Sequence, residues 1–284
     1  MFKGGFRGTF GVAGIHTDHC LEQVRRHDPD RYLTALFAPP ERRAGLLALY
    51  ALNLELGQVS ALAREPILAR VRLQWWRERI ERLGQERPAH PVLAALPATG
   101  LGPEALLRLV EAWEAELSLG RPVDLPALLD YAETVSAPSM WLALETLGGP
   151  LSEPARESGR AIATAWALTG LLGSLPSQAR TGRCHLPEEI EQRAGVKDWR
   201  GPSPALSRAV AEIADCAWTG LRAGREAGRG LPRRLIPALL PATLAEIYLR
   251  RLERAGFDPY SAGLSEAPPG RVWRLAARAW TGRY

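Results

Sequence analysis

The chain has 284 residues, 46% of them hydrophobic and 24% charged, with a formal net charge of +5. That length supports one large buried core, and the absence of repeats, low-complexity tracts and charge-free apolar runs of about 18 residues excludes a solenoid, a disordered chain and a bilayer span. The positive charge is almost entirely arginine, interleaved with acids and matching no DNA- or RNA-binding motif, so nucleic acid is excluded as a partner; coding bias or a phosphate-bearing, anionic partner are the two readings of the excess.

In chain order, nearly every patterned segment reads as helix and strand signals are nearly absent. Residues 1–15 are expected to be flexible. The opening string MFKGGFRGTFGVAGIHT contains no acid and no continuous apolar stretch, which excludes an export signal and leaves organelle targeting as an alternative. Thr17 and Asp18 can cap a short helix to about Arg26, and a second runs from about Asp28 to Phe37. Pro39 and Pro40 break the chain before a third helix from Glu41, GLLALYALNLELGQVSAL, which is apolar almost all round and belongs in the middle of a bundle. Glu65 and Pro66 open a fourth, carrying RVRLQWWRERIERL. Further helices are predicted at about Pro103–Leu117, Leu125–Leu147, Glu153–Leu175, Pro204–Glu226, Pro237–Arg254 and Gly270–Ala279, with turn chemistry between them. The expected architecture is one all-α domain over 1–284, a large helical bundle.

Cys20, Cys184 and Cys216 are far apart and odd in number, which suits a reducing compartment and no disulfide framework. His16, His19, Cys20 and His27 match no standard zinc spacing. Trp75 and Trp76 point about 100° apart, so core packing is expected for at least one, while Arg72, Arg77 and Arg79 are expected to be solvated or paired. In the C-terminal string GRVWRLAARAWTGRY, Arg271, Arg274 and Arg278 share one helix face and Trp273, Ala276, Ala277 and Trp280 the opposite one. Two readings compete: the Trp face docks on the bundle, the favoured one, or it anchors the protein at an anionic membrane surface.

Four strings carry a resemblance. ALYALNLELGQV at 48–59, RLQWWRERIERLGQERPAHPVLAAL at 72–96, ARTGRCHLPEEI at 179–190 and PALLPATLAEIYLRRLERAGFDP at 237–259 resemble, in order and spacing, the squalene/phytoene synthase family of head-to-head prenyltransferases. The resemblance implies an isoprenoid-synthase fold with a central cavity, where aspartates on two facing helices hold Mg²⁺ against a substrate diphosphate. Neutralising roughly three negative charges on the leaving diphosphate requires such hard, oxygen-bound cations.

Setting Tyr50 on the family's tyrosine places Gly57, Gln58 and Ala61 at the first aspartate motif. Setting the turn at Gly182-Arg183 and Leu186-Pro187 on the family's flap places Ser174 and Gln178 at the second. No carboxylate is expected at either, so neither catalytic residues nor a cofactor are expected, and Mg²⁺ enters only if an active prenyltransferase with a rearranged metal site is the correct reading. Asn53 and Glu55 resemble a non-catalytic branch typified by the mitochondrial assembly factor for respiratory complex I. That implies an assembly or chaperone role, with a respiratory-complex subunit or assembly intermediate as partner, in the cytoplasm, at the inner membrane or, as an alternative, in the mitochondrial matrix. A prenyl-lipid binding module is a third reading. Candidate cavity or ligand-binding residues are Tyr50, Asn53, Glu55, Arg180 and Arg183. Glu55 reads either as a core ion pair, for instance with an arginine of the WWR helix, or as a pocket wall. Arg180 and Arg183 read as a phosphate-binding flap or a solvated loop. His185 stands where the family has an aromatic.

Overall fold

The structure is a computed structural model that describes residues 10–62, 66–182, 184–264 and 266–284; the side chains of 10–15, 60–62 and 66 lie outside that description. All regular structure among the described residues is helical. The helices are α1 (Phe10–His27), α2 (Pro29–Ala35), α3 (Pro40–Leu62), α4 (Pro66–Glu81), α5 (Pro91–Ala95), α6 (Pro103–Ser118), α7 (Leu125–Gly148), α8 (Glu153–Gly173), α9 (Leu175–Thr181), α10 (Glu188–Ala194), α11 (Pro204–Ala227), α12 (Ile236–Leu239), α13 (Pro241–Arg254) and α14 (Arg271–Thr281).

Local chemistry explains most of the boundaries. Asp28, Asp124, Ser152 and Ser203 each accept a hydrogen bond from the backbone N–H three residues on, opening α2, α7, α8 and α11. Proline follows each of these caps at the first or second helical position, where its missing N–H costs nothing. The helix expected over Pro237–Arg254 is two, because Pro241 starts a new one after α12. The helix expected to run to Leu175 stops at Gly173, and Leu175-Pro176 opens α9. Thr17 and Asp18 start nothing: α1 already runs through them from Phe10, so a local capping preference yields to a helix continuing along α3 and α5. The first nine residues of the segment expected to be flexible lie outside the described residues.

Two helices form the interior. Every residue from Leu46 to Asn53 of α3 is buried, so this helix is enclosed all round. It lies among α1, α4, α5, α6 and α7. The second, α8, packs between α7 and α11 and against α13. The core runs continuously from one to the other through α7, with Leu128, Leu142, Leu144 and Leu147 buried. On the WWR helix α4, Trp76 is buried and meets Trp75 edge to face, Arg77 pairs with Glu114 at 2.7 Å, and Arg79 with Glu86 at 3.1 Å.

The C-terminal helix corrects an expectation. It docks by Arg271, Leu275 and Arg278, while Arg274 stays exposed: Leu275 is fully buried, Arg271 pairs with Asp30 of α2 at 2.7 Å and lies 3.3 Å from the Tyr248 hydroxyl, and Arg278 approaches Glu246 of α13. Trp273 and Trp280 point outward, 79% and 84% exposed. Asp30 and Glu246 are largely buried carboxylates that need cationic partners, and α14 supplies them with guanidinium groups whose aliphatic stems also cover apolar surface. Burial pushes the Asp30 carboxyl up, against the pull of the Tyr248 hydroxyl and Arg271. Burial acts the same way on Glu246, but the hydrogen bond from Arg225 and the charges of Arg225, Arg250 and Arg278 outweigh it and hold it below its usual range.

Candidate functional site

The middle of α3 presents different chemistry to α6 and to α1. Asn53 and Gly57 are one turn apart and face α6. The indole Nε1 of Trp113 on α6 donates to Asn53 Oδ1 at 3.3 Å, and the ring lies over Gly57, where an added Cβ would meet two ring carbons at 3.0 Å. Glycine is thus what lets the indole lie against the helix, and the asparagine fixes its edge. Gln58 is half-buried beside this seat. Ala61 belongs to the last turn of α3, where side chains are outside the description.

Glu55 lies on the α1 side. Its expected ion pair with a WWR arginine is not formed: Gln23 of α1 donates to Glu55 Oε1. Arg77 and Arg79 of α4 pair instead with Glu114 of α6 and Glu86 of the following loop. Nearby, burial first and Glu55 second push the Cys20 thiol up to about 12, so it is neutral and unreactive. His90 caps α5, its Nδ1 accepting from Val92 N at 3.2 Å. Its pKa lies below the ordinary histidine value because burial outweighs the opposing charge of Glu55. Tyr50 is turned toward α2, with the Arg31 guanidinium 5.4 Å from its ring centroid; burial pushes its hydroxyl up to about 12.

At the α8–α9 junction the side chains close on one another. Gln178, itself buried, donates from Nε2 to Leu171 O at 2.9 Å and to Ser174 Oγ at 2.8 Å. Its Oε1 accepts from the backbone N of His185 at 3.2 Å and lies 3.0 Å from His185 Nδ1. Ser174 Oγ in turn donates to Leu171 O at 3.0 Å, and His185 Nε2 lies 3.3 Å from the Tyr131 hydroxyl of α7. A side-chain amide has two N–H groups and two carbonyl lone pairs; both of Gln178's N–H groups donate, and its oxygen accepts from His185 N and faces His185 Nδ1. This network fastens the flap at His185 to α7 and α9. Arg180 is exposed on the last turn of α9. Arg183 lies outside the described residues.

Sequence reasoning missed Trp113, Gln23 and Tyr131. Each comes from a helix far along the chain from its partner, and the sequence carries no local signal for such meetings. It also left open which groups surround Gln178.

The donor set does not fit hard divalent cations. Gly57 offers no side-chain oxygen, Gln58 and Gln178 offer neutral amides, and the carbonyl oxygen of Gln178 is already committed. Among the described residues no group of three or more His, Cys, Asp or Glu side chains is placed to hold a metal ion.

The comparisons with known proteins agree on the family. The mouse (Mus musculus) protein NADH dehydrogenase (ubiquinone) complex I, assembly factor 6, is 27% identical over 283 residues, covering 96% of this chain and 84% of its own length. Presqualene diphosphate synthase of Sinorhizobium fredii is 28% identical over 89% of this chain and 91% of its own. Among solved structures, a dehydrosqualene synthase superposes with a TM-score of 0.80 at 15% identity, covering 96% of this chain and 98% of its own. A squalene synthase from Alicyclobacillus acidocaldarius superposes with a TM-score of 0.74 at 23% identity, covering 87% and 97%. The fold is therefore that of the isoprenoid synthases, and with the squalene/phytoene synthase model matching residues 24–281, the chain belongs to the squalene/phytoene synthase family.

Proposed function

We propose that this protein is a squalene/phytoene synthase-family member without prenyl-transfer activity, acting as an assembly factor or chaperone for respiratory complex I. The observation that carries the first half is the saturated amide of Gln178. Diphosphate departure needs a divalent-cation cradle of carboxylates, and a site whose oxygens already accept hydrogen bonds while its N–H groups point at carbonyl and hydroxyl oxygen cannot supply one. Trp113 lying over Gly57 supports the same reading at the other position, where an aspartate would meet the indole. The second half rests on likeness to proteins named as complex I assembly factors, an argument by analogy that needs its own test.

Two experiments separate the halves. Purified protein incubated with farnesyl or geranylgeranyl diphosphate and Mg²⁺ is expected to yield no condensation product; a head-to-head hydrocarbon or its cyclopropyl precursor would restore the prenyltransferase reading with a rearranged metal site. Deleting the gene in the source organism is expected to lower complex I activity and leave assembly intermediates in native gels. Unchanged complex I in the deletion strain removes the assembly role.

A further inference from the structure

Among the described residues the outward face of α14 has no partner, and its fastening explains why. Arg271, Leu275 and Arg278 hold it from below. At its end, the Tyr284 hydroxyl lies 3.1 Å from Ser158 Oγ and fills the space against Gly228, while Arg225 Nε donates to the Tyr284 backbone oxygen at 2.6 Å. Both ends of α14 are pinned, and Trp273 and Trp280, two turns apart on one face, project outward with Val272 also exposed.

Exposed arginines flank this ridge. Arg274 and Arg283 are exposed, and no acid follows Glu266. Beyond Trp280 a hollow of 530 Å³ is lined by Arg225, Arg229, Arg278, Arg283 and Tyr284. Glu246 partly neutralises Arg225 and Arg278, and the exposed Arg229 pairs with Glu226 at 2.7 Å, so the excess positive charge of this face rests on Arg274 and Arg283.

We infer that this face is a docking surface for an anionic phospholipid bilayer: Trp273 and Trp280 enter the headgroup region, and the arginine-lined hollow beside them takes lipid phosphates. Indole rings settle at the boundary between headgroups and acyl chains, and arginines on the flanks gain from the negative surface potential. Two separated, exposed aromatics on one helix face suit a deformable lipid surface. Among the described residues no helix is long and apolar enough to cross a membrane, so contact at this face is peripheral. The inference stands apart from the assembly reading, since an active synthase would present the same ridge.

Vesicle co-sedimentation tests it with full-length protein and vesicles of phosphatidylcholine alone or mixed equally with phosphatidylglycerol. The expected result is binding to the mixed vesicles that weakens with salt, and little binding to phosphatidylcholine. W273A/W280A should lower affinity for the mixed vesicles by about tenfold or more. R274E/R283E should lower it by at least about fivefold. Both variants should keep wild-type helicity and melting temperature, because the four side chains are exposed. Wild-type binding by W273A/W280A, equal binding to both vesicle types, or no binding to either overturns the inference. The last outcome would leave an acidic protein surface as the occupant of the ridge.

Discussion

The two positions set against the family's aspartate motifs are closed by different physics. At α3 the closure is steric: an indole lies over a glycine and one hydrogen bond from its Nε1 to Asn53 holds its edge. At the α8–α9 junction it is polar: a buried amide spends both donors and its oxygen on its neighbours. The first seat tolerates a change of charge better than a change of volume, and the second the reverse.

Substitutions that swap these demands should break the contrast, and the largest effect belongs to Gln178→Glu. It replaces an N–H₂ group facing Leu171 O with an oxygen and buries a charge without a cation, so a loss on the order of 3 kcal/mol at neutral pH is expected. The new carboxyl should have a raised pKa in the folded state. Its destabilisation is therefore smallest at acid pH and grows as pH rises through that value. Denaturant melts across pH would read this; a loss independent of pH would contradict the polar account.

Gly57→Leu comes next. Overpacking against Trp113 should cost about 2 kcal/mol. In a Trp113→Ala background the added leucine has room, so the same substitution should cost markedly less, and a double-mutant cycle measures the coupling. Additive costs would mean that the indole does not press on this position. Asn53→Ala follows, at about 1 kcal/mol for the lost hydrogen bond to Trp113 Nε1, with a shift in indole fluorescence.

The smallest effect sharpens the comparison from the other side of α3, where His90 rather than Trp113 is the nearby ring. The folded-state pKa of His90 is below its unfolded value, so its contribution is present above the unfolded pKa near 6.5 and is lost as pH falls through the folded value. Protonation also removes the lone pair that caps α5. His90→Ala should cost about 1 kcal/mol at neutral pH and flatten the stability profile on the acid side.

Much of the fold was legible in the sequence because it is written locally. The apolar circumference of α3 announced an enclosed helix, and Leu46 through Asn53 are buried as that pattern demands. Asp28, Asp124, Ser152 and Ser203 are caps whose chemistry acts over three residues, so their helices start where the pattern puts them. The family motifs likewise lie within single elements.

What only the tertiary structure decided are meetings between distant segments. Sequence supplied the two faces of α14 but not which one docks, because that choice turns on Asp30 and Glu246, carboxylates on α2 and α13 that burial leaves in need of cations. It placed Glu55 on an enclosed helix but not beside Gln23, and Gly57 near a motif but not under Trp113. A helix's periodicity is a property of neighbouring residues, whereas the partner of a buried polar group is set by whichever far segment the packing delivers to it.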